Sequence, residues 1–192
     1  MADRFESYLE YLGKRIGRSS DLRYSSIQFY MGHFYQQLAN YSMQIETVPH
    51  CRERALCHYQ SYLKLPTRQD ESRYYALWQS AILQDMLKYP WCQVENSLLK
   101  AIEIDAIRGE AVKKAIEHYI RNGNWITAYS YSTIAVKKYF NKNPIALRRW
   151  FVDIDAYNWK VINTHLLICY KIGYLRGLRK PIAKCYEIVM PD

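Results

Sequence analysis

Asp153-Ile154-Asp155 is formally a DxD, the spacing with which two carboxylates hold a metal ion and the diphosphate of a sugar nucleotide. That chemistry needs an α/β nucleotide-binding domain around the pair, and no alternation of strand and helix patterns runs through this chain. In a helical setting Asp155 instead caps the helix that starts near Tyr157, or positions the loop before it. A second cluster, His50-Cys51 with Cys57-His58, has the residue types of a zinc site. On a helix, however, His50 and Cys57 share one face while Cys51 and His58 point about 100° away, so four ligands do not converge on one ion. No glycine-rich phosphate loop, GxSxG or HExxH occurs, and none of the 5 histidines has a local acid partner at a suggestive spacing. This reading assigns no catalytic residue, no metal ligand and no cofactor.

Binding chemistry is better represented. The net charge is +9, and its placement is uneven: residues 1–107 hold 12 Lys+Arg and 12 Asp+Glu, whereas residues 108–192 hold 15 and 6. Such an excess suits an acidic protein surface, a phosphate-bearing ligand or nucleic acid, and it is also what an ordinary solvated basic face looks like. Of the 19 tyrosines, Tyr59 and Tyr119 fall at core spacing, whereas Tyr74, Tyr75 and Tyr131 are expected at the surface. Exposed tyrosines beside Lys and Arg serve protein hot spots, sugar stacking and single-stranded RNA alike. Arg148-Arg149-Trp150-Phe151 is a basic–aromatic cluster on a loop, suited to docking or to pinning that loop through Trp150.

The elements that must position these groups are helices. Hydrophobic residues make up 49% of the chain, with only 7 Gly and 6 Pro, which supports a core and argues against a turn-rich β protein. Between Leu77 and Val136 the sequence nearly repeats at a spacing of 34: Trp78 maps onto Val112, Ala81 onto Ala115, Ile82 onto Ile116, Trp91 onto Trp125, Val94 onto Ala128, Ala101 onto Ala135 and Ile102 onto Val136. That period is the length of a tetratricopeptide-type helix–turn–helix unit. The expected fold is all-α: a tetratricopeptide-like superhelical array of about four helix–turn–helix units with an N-terminal capping helix, in one domain over 1–192. The capping helix covers 1–20, with Phe5, Tyr8, Leu9, Leu12 and Ile16 on one side. Unit 1 covers 21–65 with an insertion; its first helix, near 22–38, carries the stripe Ile27, Tyr30, Met31, Phe34, Tyr35 and Leu38, and its second, 51–64, carries Ala55, Tyr59, Tyr62 and Leu63 inward. Unit 2 covers 71–105, unit 3 covers 108–139 with the turn Asn122-Gly123-Asn124, a loop covers 140–156, and unit 4 covers 157–190.

In such an array the first helix of each unit lines a concave surface. Unit 3 places Glu110, Lys113, Lys114, Glu117 and Arg121 there, and unit 4 places Lys160, Asn163, Thr164, Leu167 and Lys171. Paired lysine and asparagine side chains can clamp a carboxylate or phosphate. The expected partner-binding residues are therefore Lys113, Lys114, Glu117, Arg121, Lys160, Asn163 and Lys171, with Arg148, Arg149 and Trp150.

No apolar run approaches the roughly 18 residues needed to span a membrane. The first residues are charged from the third onward, unlike a signal peptide, and the 5 cysteines are scattered and read as reduced thiols. The expected location is cytoplasmic. An unfinished array end also leaves room for a homodimer.

The chain resembles the tetratricopeptide-like helical-repeat regions attached to bacterial and viral family 2 glycosyltransferases, most densely over 99–175. The motifs are Arg108-Gly109-Glu110 ahead of a helix, Ala128-Tyr129 opening the next, the loop Phe151-Val152-Asp153-Ile154-Asp155-Ala156-Tyr157-Asn158-Trp159, and Tyr170 with Gly173 closing a helix. Departures are Ala106 and Ile107, where the family has proline and threonine, and Asn163-Thr164, where it has an acidic pair. The resemblance implies the fold and an association with glycan-building enzymes, not catalysis by this segment. The expectation is a non-catalytic protein–protein interaction or scaffold module that binds a partner through an acidic surface or a peptide carboxylate, the partner being a glycosyltransferase or another glycan-assembly enzyme. The alternatives are RNA binding through the basic C-terminal half, and a place within a longer glycosyltransferase polypeptide.

Overall fold

The computed structural model describes residues 7, 11, 22–42, 45–66, 70–140, 142 and 151–174. The expected capping helix, apart from Ser7 and Tyr11, and the expected last helix near 178–189 lie outside the described residues. Among the described residues the chain is helical and has no strand. The α-helices are α1 (Leu22–Tyr41), α2 (Val48–Leu63), α3 (Asp70–Met86), α4 (Trp91–Ile104), α5 (Glu110–Arg121), α6 (Trp125–Lys138) and α7 (Trp159–Lys171), with short 3-10 turns at Ile45–Thr47 and Ile154–Ala156. No helix among the described residues is long and apolar enough to cross a membrane. The chain forms two compact units, Met1–Lys100 and Ala101–Asp192.

In the first unit α1 packs on α2 and α2 on α3. Phe29 sits among the rings of Tyr59, Tyr62 and Tyr75, with centroid separations of 5.4–6.2 Å. The tyrosine hydroxyls find polar partners within this core: Tyr59 donates to Gln36 Oε1 at 3.0 Å, Gln36 in turn donates to Gln79, and Tyr75 lies 3.2 Å from His33 Nδ1. Two expectations are corrected here. Tyr74 and Tyr75 are buried. On α1, Tyr30, Phe34 and Leu38 face solvent, and Phe29, Met31, Tyr35 and Ala39 face the core. The reason is Gly32. A Cβ there would stand 2.7 Å from the Tyr59 ring, so the bare backbone at this position is what lets α2 come close, and the approach fixes which side of α1 turns inward. α2 also begins earlier than expected, at Val48, with Pro49 in the first turn, where its missing N–H is not needed.

In the second unit α5 packs on α6 and α6 on α7. Its core joins Val112, Ile116, Ala128, Ala135, Tyr139, Ala156, Tyr157, Val161 and Ile168. Of the positions 34 residues apart, Ala81 and Ala115, Val94 and Ala128, and Ala101 and Ala135 are buried in both copies, Trp91 and Trp125 and Ile102 and Val136 are half-buried in both, and Trp78 and Ile82 are half-buried where Val112 and Ile116 are buried. Between α5 and α6, Gly123 takes φ +70°; its N–H reaches Ile120 O, and Asn124 N–H reaches Tyr119 O at 2.9 Å, which closes the helix end. The Asn124 side chain then caps α6 by accepting from Thr127 N. The end of α3 uses the same closure, with Tyr89 N–H on Gln84 O, but the left-handed residue is Lys88 at φ +64°.

Two substitutions test this geometry by urea unfolding. Gly32→Ala is expected to lower stability by about 1–3 kcal/mol through overpacking on Tyr59. Lys88→Gly is expected to raise it by about 1 kcal/mol by relieving the left-handed strain.

Candidate functional site

The second unit is built around a buried ion pair. Asp105 O accepts from Arg108 N, and Asp105 Oδ1 accepts from Ile107 N at 3.1 Å, so the turn after α4 is self-tied and ends at Arg108. The Arg108 guanidinium donates to both carboxylate oxygens of Glu110, at 2.9 and 3.3 Å, with both side chains essentially inaccessible. Arg108 Nη2 also donates to Phe151 O at 3.0 Å, and Phe151 adopts φ +54°. From the same loop, the Tyr157 hydroxyl donates to Glu110 Oε2 and accepts from Gly109 N, each at 3.0 Å. Residues more than forty positions apart are thus locked together by charge-assisted hydrogen bonds in a dry environment. A Cβ on Gly109 would meet the Tyr139 ring and Ala156 O at 3.0–3.2 Å, so the segment is also packed to contact.

This pin fixes the loop that carries the two aspartates. Asp153 caps the 3-10 turn by accepting from Asp155 N, and its other oxygen takes Lys113 Nζ at 2.6 Å. Asp155 accepts from Asn158 Nδ2 at 3.1 Å and from Lys160 Nζ at 2.7 Å. Of the two roles open to Asp155 from sequence, loop positioning is the one observed; the cap of α7 is Asn158, which accepts from Lys160 N, so α7 starts at Trp159 rather than Tyr157. Lys113 also lies 3.7 Å from Glu117.

Above the pin lies a cleft of about 260 Å³ with α5 and α7 as walls and Ala135 of α6 behind. Lys113 and Glu117 come from α5, Lys160 and Thr164 from α7, and Asp155 from the turn. Of the sequence-derived groove residues, Lys113, Glu117, Lys160 and Thr164 are therefore brought together. Lys114 is half-buried on the neighbouring face of α5, and Arg121 is exposed at that helix's end. Asn163 and Leu167 are exposed on α7, and Lys171 is exposed with its ammonium 5.8 Å from the Trp125 ring centroid. Glu110 is corrected: it is buried against Arg108 and does not face the groove. Arg148, Arg149 and Trp150 lie outside the described residues.

The electrostatics keep the site's charges in place. Burial opposes the charge on Lys113, but the hydrogen bond and charge of Asp153, with Glu117 and Asp155, outweigh it and raise its pKa. Hydrogen bonds from Lys160 and Asn158 hold Asp155 below the usual carboxylate range. Burial, reinforced by Glu110, pushes the Tyr157 phenol well up; burial, with Asp105 and Glu110, does the same to Tyr139. Each shift leads away from neutral pH, so Lys113 and Asp155 stay charged there and Tyr157 and Tyr139 stay protonated.

Deeper in the unit, His165 is buried, stacked on Tyr129, with Nδ1 2.8 Å from Ser132 Oγ and Nε2 3.5 Å from Cys169 Sγ. Burial lowers its pKa and raises that of Cys169. Among the described residues, no group of three or more His, Cys, Asp and Glu is placed to hold a metal ion. On α2, Cys51 and His58 turn toward the core and His50 and Cys57 lie outside, as the helical spacing requires.

The fold defines the class as an all-α chain. No family model, curated protein or solved structure matches it.

Two outcomes follow. Arg108→Met is expected to cost about 3–5 kcal/mol by leaving Glu110 buried without its counter-charge, and adding Glu110→Leu is expected to recover most of that loss, as read by urea denaturation of both variants. His165, held neutral with a folded pKa below 6.5, contributes stability that is full above pH 6.5 and lost as pH falls toward its folded value. Unfolding free energy should therefore decline as pH falls below 6.5, less steeply in His165→Gln.

Proposed function

We propose that the chain is a non-catalytic interaction module, a tetratricopeptide-like array whose α5–α7 face binds a protein partner through an acidic surface or a peptide carboxylate. The observation that carries this reading is the cleft itself: α5 and α7 line it with Ala135 of α6, and its two lysines are paired with aspartates on the loop that the buried Arg108–Glu110 pair holds. The burial shared by Ala81 and Ala115, Val94 and Ala128, and Ala101 and Ala135 agrees with a repeat array. An association with a glycan-assembly enzyme of the family 2 glycosyltransferase kind is the most specific form of the proposal. It is supported by the two sequence motifs behind the resemblance, Arg108-Gly109-Glu110 and the loop from Phe151 to Trp159, which are the two halves of one hydrogen-bonded cluster. Within the face, Lys113 and Lys160 are held by carboxylates, and Arg121 and Lys171 are exposed at the last turns of α5 and α7. An acidic partner is expected to engage these exposed side chains. A reducing compartment such as the cytoplasm suits the thiols of Cys51, Cys57, Cys92 and Cys169.

The test is affinity capture from native lysate with the full chain and with Arg121→Glu/Lys171→Glu, each with and without nuclease. A protein retained after nuclease and reduced about tenfold or more by the double variant is the expected result. Capture that disappears with nuclease overturns the proposal and makes the basic half a nucleic-acid surface. Capture indifferent to the double variant removes this face from the reading.

A further inference from the structure

We propose that the cleft between α5 and α7 takes a single uncharged, hydroxyl-rich ring, a sugar residue of the partner or its product. The inference deepens the reading of this face as a binding surface and rests on it. The polar groups on the walls are Lys113, Glu117, Asp155, Lys160 and Thr164: two ammonium groups, two carboxylates and one hydroxyl. Lys160 and Asp155 lie 2.7 Å apart, and Lys113 is held by Asp153 at 2.6 Å with Glu117 at 3.7 Å.

A ligand with a net charge would have to displace one of these carboxylates or ammonium groups and leave it without its counter-charge, at a cost that grows as the cleft dries. A hydroxyl group avoids this. It donates to a carboxylate and accepts from an ammonium at once, and so bonds alongside a pair without leaving either charge unmatched. An amide offers its donors and acceptor in one plane, and serves two facing walls less well than hydroxyls spread around a ring. The floor is apolar, with Ala135, Ala156 and Val161, and matches the CH face of a ring. The volume of about 260 Å³ lies below the range for drug-sized ligands and admits one ring rather than a chain. Because the aspartates are held by a loop pinned to the core, the donors and acceptors are positioned before the ligand arrives.

The experiment is amide NMR titration of the isotope-labelled full chain with glucose, galactose and N-acetylglucosamine, in parallel with glucuronate and inorganic phosphate. At least one neutral sugar is expected to give saturable shifts at Lys113, Glu117, Asp155, Lys160 and Thr164, with Kd on the order of 1–10 mM, weakened about fivefold or more by Thr164→Val and by Lys160→Met. Helical circular dichroism confirms that both variants fold, and Lys160, being half-exposed, is the replacement least able to disturb the core. Saturation of these residues by phosphate or glucuronate in place of the neutral sugars overturns the inference, as does an absence of saturable shifts in the cleft with every probe. When either result coincides with intact partner capture through Arg121 and Lys171, the sugar inference alone has failed and the interaction module stands.

Discussion

The burial of Arg108 with Glu110 is the constraint on which the C-terminal unit depends. Taking both charges out of water is costly, and their attraction offsets that cost only when the remaining hydrogen-bonding capacity is also met. Part of that capacity is met by groups from a distant loop: Phe151 O accepts from Arg108, and the Tyr157 hydroxyl donates to Glu110. The loop therefore cannot leave without exposing a buried charge, and the pair cannot form correctly without the loop. Phe151 holds a left-handed conformation with its carbonyl on Arg108, local strain of the kind sustained only where the surroundings over-determine a residue. From this follows the position of Asp153 and Asp155, and from theirs the position of Lys113 and Lys160.

The helical class was legible in the sequence because it rests on local spacing. Gly123 in its turn is such a local effect, whereas the start of α2 at Val48, with Pro49 in its first turn, differs from the expected 51–64. The groove was half legible. Lys113 and Glu117 share a face at four-residue spacing, as do Lys160 and Thr164, and the fold sets these two faces across one cleft. Glu110 continues the α5 pattern yet turns inward, because its partner lies two residues before it and the rest of its hydrogen bonds come from Tyr157 and Asp153. Spacing along one helix cannot reveal such pairings. Arg108 and Tyr157 were in view only as motif residues; that they touch one carboxylate is a tertiary fact.

The N-terminal unit shows the other limit. Helix α1 has apolar side chains nearly all round, so periodicity offered two faces of similar quality. The choice fell to Gly32 and Tyr59, a contact between different helices. Tyr74 and Tyr75 were expected at the surface and are buried; for Tyr75 this follows from aromatic packing on Phe29 and Trp78 and from a hydroxyl partner, His33, contributed by α1.

The charge of the second half then divides into two parts with different physics. Lys113 and Lys160 are neutralised within a few ångströms, so at the range of a Debye length they contribute almost no field. Among the described residues, Arg121, Lys137, Lys138, Lys142 and Lys171 are exposed. Those can accelerate encounter with an acidic partner, and their effect fades with salt. The paired charges in the cleft act at short range and are themselves partly exposed, with Lys160 and Asp155 51% and 31% accessible, so salt weakens these pairs as well.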